Sequence, residues 1–165
     1  MRELRPGLVA LILALVGLVI QATLFRRFDW VTPDLVVLVV CLAALTLAST
    51  AELLLGFLAG ALVDVSLASS VLGLRSLTYT VVAYLAIRSK RSAESGFLAV
   101  GVWVGVLTLI SVVVLLVVGI TFGQSDELGT QVTRRLLQVP VSNLVFGALL
   151  AVPVTRLLQK SRGSL

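Results

Sequence analysis

The sequence predicts an all-α membrane protein, a compact bundle of six transmembrane helices in a single domain over residues 1–165. Two observations carry that fold class. Hydrophobic residues make up 59% of the chain and charged ones 13%, at a mean hydropathy of +1.13. A soluble domain is near half apolar and about a quarter charged, so there is too little polar surface here to cover a globule in water. The apolar residues also gather into runs of the length that a helical span requires, about 20 residues at 1.5 Å each.

The runs are roughly 7–24, 33–48, 51–68, 73–87, 96–122 and 136–158. The second and fourth are short, and the fifth is long enough to tilt or protrude. Local signals mark several starts. In "VTPDL", Thr32 can cap, Pro33 takes the first helical position and Asp34 faces the positive end of the helix dipole. In "STAE", Ser49 and Glu52 have capping-box spacing, which makes spans two and three a tight hairpin. "SKRSAESG" and "GQSDELGTQ" separate the later spans. The basic, apolar N-terminus resembles a signal peptide, but no small-x-small cleavage site follows, and an uncleaved first span is expected.

Orientation follows from Lys and Arg. With six spans both termini share one side, which holds Arg2, Arg5, Arg88, Lys90, Arg91, Arg156, Lys160 and Arg162, against Arg26, Arg27, Arg75, Arg134 and Arg135 on the other. The positive-inside rule places both termini in the cytoplasm. Four polar residues then converge at the extracytoplasmic ends of neighbouring helices: Gln21, Asp34, Asp64 and Arg75. Asp64 sits in the greasy "LLLGFLAGALVD", and an intramembrane carboxylate prefers a partner facing the bundle interior. Arg75 is the expected one. A structural tie between helix ends is the simplest role for Asp64, with partner binding and ion or proton transport as alternatives. The Arg26–Arg27 pair beside Trp30 reads as a solvated interfacial anchor.

Gly56 and Gly60 form a G-x-x-x-G pair on span three, and Gly101 and Gly105 repeat it on span five. Ala10 and Ala14 make a small-residue pair on span one. Such faces admit another helix closely, either within the bundle or from a partner. Pro140, Asn143 and Pro153 allow span six a kink and an interhelical hydrogen bond.

The lone Cys41 lies in an apolar run and cannot form an internal disulfide. With no histidine, no zinc or haem site is expected, nor any other cofactor. The net charge of +5 is not gathered into a basic face, so nucleic acid is not an expected partner. There is no phosphate loop, no Ser/His/Asp set and no spaced pair of acids. No enzymatic activity is expected.

From Gln21 to Arg91 the order of features resembles the MreD family, the small membrane subunit of the bacterial rod-shape machinery. "QATLFRRF" closes span one, "TPDLVVLVV" opens span two, and "GFLAGALVD" and "SSVLGLRSLTYTVVAYL" follow. The resemblance implies a non-catalytic scaffold of the bacterial cytoplasmic membrane. It implies binding to the single-span protein MreC, indirect action with the MreB filament, and influence on the peptidoglycan synthases that elongate the side wall. It also implies a fold similar to the substrate-binding subunits of energy-coupling-factor vitamin transporters, and such a subunit is the alternative function. The glycine face of span three or the small-residue face of span one is the expected docking site for MreC, with the outer polar residues meeting its periplasmic part. A second copy of the chain is a further candidate partner.

Overall fold

In the computed structural model a short apolar helix sits at the centre of the molecule. The structure describes residues 4–24, 33–66, 72–93, 96–122 and 132–163. These form six α-helices: α1 (Leu4–Thr23), α2 (Leu35–Ala43), α3 (Ser49–Ser66), α4 (Leu74–Ser89), α5 (Phe97–Thr121) and α6 (Val132–Gly163). A 3-10 turn (Lys90–Ala93) follows α4, and the described residues include no strand. Four helices, α1, α3, α5 and α6, are long and apolar enough to cross a membrane.

All nine residues of α2 are buried. Val36, Val37, Val39 and Val40 are poor helix formers, but a helix apolar on every side belongs inside a bundle, and there burial outweighs propensity. α2 touches each of the other five helices. Those five close a ring around it in the order α1, α3, α4, α5, α6 and back to α1. The helix rises only about 13.5 Å at 1.5 Å per residue. Tight turns then carry the chain on to Leu47, with Thr46 N–H to Ala43 O at 2.9 Å and Leu47 N–H to Ala43 O at 2.8 Å. The expected span 33–48 is thus a short, fully enclosed helix with a tightened end.

Small residues set the spacing of the ring. A Cβ built on Gly60 would lie 2.5 Å from Arg75 O and from Ser76 Cα, and one on Gly56 would lie 2.7 Å from Tyr79 O. Both glycines therefore bring the α3 backbone directly onto α4. On α5, a Cβ at Gly101 would meet Leu144 O at 2.8 Å, and one at Gly105 would meet Leu144 Cβ at 3.1 Å. That pair serves α6 in the same way. Ala10 and Ala14 are buried in the central core, and Gly17 faces Leu35 of α2.

The glycine face of α3 packs on α4 and the small-residue face of α1 packs into the core, so both serve packing within the bundle. Large apolar side chains point outward instead, among them Leu8, Ile12 and Val19 on α1 and Val102, Val106 and Val113 on α5. That is the pattern of a bundle whose solvent is lipid.

Two start signals also differ from expectation. Asp34, not Thr32, is the N-cap of α2, its carboxylate accepting from Val37 N–H at 3.2 Å, and Pro33 precedes the cap. The Ser49–Glu52 capping box does not form. Glu52 N–H donates to Ala48 O at 3.0 Å, which places Ser49 inside the helix. The Glu52 carboxylate turns inward, with no hydrogen-bond partner. The box spacing was present, but burial of the α3 stripe Glu52–Leu55–Gly56–Ala59 carries that side chain away from the helix start. Thr32, Arg26, Arg27 and Trp30 lie outside the described residues.

Candidate functional site

α4 begins without a cap of its own. Gly73 occupies its N-cap position at φ +95°, a left-handed conformation that favours glycine, and it has no side chain to offer the first N–H groups. Asp64, in the last turn of α3, supplies what is missing. One carboxylate oxygen accepts from Gly73 N–H at 3.0 Å, Ser76 N–H at 3.1 Å and Ser76 Oγ at 3.2 Å. The other accepts from Arg75 N–H at 3.1 Å. A helix N-terminus is the positive end of the helix dipole, with unpaired donors aimed at a carboxylate. Asp64, 2% exposed, is therefore a cap lent by one helix to the next.

Asp64 meets Arg75 through the main-chain N–H, and residue spacing alone does not distinguish a guanidinium from a backbone N–H. The Arg75 guanidinium reaches Tyr79 Oη, a long contact at 3.5 Å.

Tyr79 carries the connection onward. Its hydroxyl donates to Asp34 Oδ2 at 3.0 Å, while Asp34 Oδ1 accepts from Val37 N–H. Asp34 is thereby divided between capping α2 and tying it to α4. The Asp34 backbone carbonyl accepts from Asn143 Nδ2 of α6 at 3.0 Å, and the same amide nitrogen donates to Thr108 Oγ1 of α5, also at 3.0 Å. From α1, Gln21 Oε1 accepts from Leu35 N–H at 3.2 Å. The start of α2 is thus bonded to α1, α4 and α6, with α5 joined through Asn143.

All four residues of the expected polar cluster, Gln21, Asp34, Asp64 and Arg75, sit at this end of the bundle. The structure resolves them into two linked devices. Asp64 organises the α3–α4 turn, and Asp34 organises the centre. Tyr79, Thr108 and the partner of Asn143 were missed from sequence. A signal existed for Tyr79, which lies four residues after Arg75 and so shares its helix face. None existed for the contact between Asn143 and Asp34, 109 residues apart.

The chemistry of such a site is that of a fastener. Its carboxylates are occupied as acceptors for helix-end donors, and its hydroxyls and amide bridge helices. Among the described residues no group of His, Cys, Asp and Glu could hold a metal ion. The opposite end is tied more lightly, by Trp103 Nε1 donating to Ser89 Oγ at 2.8 Å and by Arg88 over the Tyr84 ring.

The family model described as rod shape-determining protein MreD matches residues 1–161. No curated protein and no solved structure matches the chain.

Proposed function

The chain belongs to the rod shape-determining protein MreD family, and from that premise we propose that it is a non-catalytic membrane scaffold of the bacterial rod-shape machinery. In this reading it binds an MreC-like single-span protein. Through that partner and an MreB-like filament it influences side-wall peptidoglycan synthesis. The observation that carries the reading is the family match over residues 1–161.

The site supports it on physical grounds. Hydrogen bonds from α1, α4 and α6 converge on the start of α2 and fix its position in the ring, which suits a platform. The proposal places six spans in the cytoplasmic membrane with both termini inside, in a fold similar to the substrate-binding subunits of energy-coupling-factor transporters. The Asp34–Asp64 end then faces outward, where it would set the height and shape of the rim that meets the periplasmic part of the partner. Because the small-residue faces serve packing within the bundle, the partner's helix packs on the outward apolar side of the ring.

Purification of the tagged chain from native membranes in mild detergent, followed by mass spectrometry, tests the proposal. Co-purification of a single-span protein with a periplasmic domain, together with cell-wall synthases, is the expected result. Recovery of an ATPase pair with a transmembrane coupling subunit would overturn it in favour of a vitamin-transport role.

A further inference from the structure

Glu52 differs from the other described carboxylates in having nothing to bond. Asp34 and Asp64 accept from N–H and O–H donors, whereas both Glu52 oxygens are buried with no hydrogen-bond partner. The residue is 0% exposed. It lies on the stripe of α3 that also holds Gly56 and Gly60, the stripe closed by α4, and about 18 Å along the helix from Asp64.

The charged and titratable groups of the neighbouring elements leave it unpaired. α2 brings the buried Cys41 within electrostatic reach. α4 and the turn after it carry Arg88, Lys90 and Arg91, all exposed, and Arg88 Nε donates to Tyr84 Oη at 3.3 Å. α1 carries Arg5, exposed as well. Among the described residues no cation is paired with Glu52.

An ionised carboxylate in that position would lose its hydration with neither a donor nor a counter-ion in return. A charge so placed is costly enough that the group takes up a proton instead. We propose that Glu52 is a proton-binding site, held as a neutral carboxylic acid in the folded bundle at neutral pH. The unfolded chain gives up this proton on going from acid to neutral pH while the folded bundle keeps it. Stability therefore falls as the pH rises over that interval. Glu52→Gln, with no proton to lose, removes that part of the dependence.

The chain has four glutamates, Glu3, Glu52, Glu94 and Glu127, few enough to resolve individually. The full chain, labelled with 13C at the glutamate side-chain carboxyl and embedded in lipid nanodiscs, would be titrated by NMR from acid to neutral pH. One signal is expected to keep the chemical shift of the neutral acid at neutral pH, and Glu52→Gln should abolish it. Should the Gln variant fail to insert, Glu52→Asp makes the same assignment by removing the signal from the glutamate set. Four carboxylate signals at neutral pH in the wild-type protein, or a neutral-acid signal that survives either substitution, would overturn the proposal.

Discussion

The Tyr79 hydroxyl donates to the Asp34 carboxylate at 3.0 Å across 45 residues of sequence, and through that bond the cap of the central helix is held by the ring. Tyr79 is buried at 1% exposure. Its ring fills space between helices while its one polar atom meets a charged acceptor, a combination that makes both parts of the side chain costly to lose.

Tyr79→Phe should therefore keep the packing and lose the bond. It leaves Asp34 Oδ2 without its donor and the Arg75 guanidinium without its contact, at a cost of about 1–3 kcal/mol. Tyr84→Phe, on an exposed tyrosine, should stay within about 0.5 kcal/mol. Reversible unfolding in detergent, followed by circular dichroism, compares the two, and equal stabilities would remove Tyr79 from the network.

Asp64→Asn gives a sharper test of the borrowed cap. An amide can replace only one of the two accepting oxygens and turns an N–H₂ group toward donors. Charge-assisted bonds to backbone N–H groups are lost, and a loss of about 2–3 kcal/mol is expected. Hydrogen exchange should locate it, with amides of the first turn of α4 exchanging faster while α5 stays protected. Uniform acceleration across all helices would contradict the local role.

Gly60 and Gly7 provide a matched pair. Alanine at Gly60 would press its methyl group into Arg75 O and Ser76 Cα, backbone atoms that cannot turn aside, and should cost about 1–3 kcal/mol. Alanine at Gly7 meets nothing within 4 Å, and inside α1 it should be neutral or stabilising by about 0.5–1 kcal/mol. Thermal unfolding in the same detergent separates them. A tolerant Gly60 would mean that α3 and α4 are not in the contact described.

Much of this was legible in the sequence, for physical reasons that also mark where legibility stopped. Long apolar runs gave the positions of α1, α3, α5 and α6, because a span must satisfy its backbone within itself and cover itself in apolar groups. The polar residues Gln21, Asp34, Asp64 and Arg75 stood out because polarity is scarce there. Their pairing was harder to read. Arg75 looked like a counter-ion for Asp64 and meets it through its main-chain N–H, at the capless start at Gly73 that shares the same carboxylate. Asn143 was visible as a bonding residue, but its partner on α2 is set by which helices close the ring, a property of the whole chain. The glycine pairs announced close packing without naming the neighbour, and the Ser49–Glu52 spacing announced a cap that burial overrode.

The enclosure of α2 also sets an order of manufacture. This segment leaves the ribosome well before Asn143, which bonds to the Asp34 carbonyl from 109 residues further along the chain. A nine-residue helix is too short to hold a place across the bilayer by hydrophobicity alone. Until α6 arrives the ring is open and the nascent α2 has one side facing lipid. Closure of the ring then waits for α6. A chain stalled before residue 132 should let a lipid-soluble thiol reagent reach Cys41, and release of the full chain should shut it out. If Cys41 is equally protected in both, α2 is enclosed before the ring is complete.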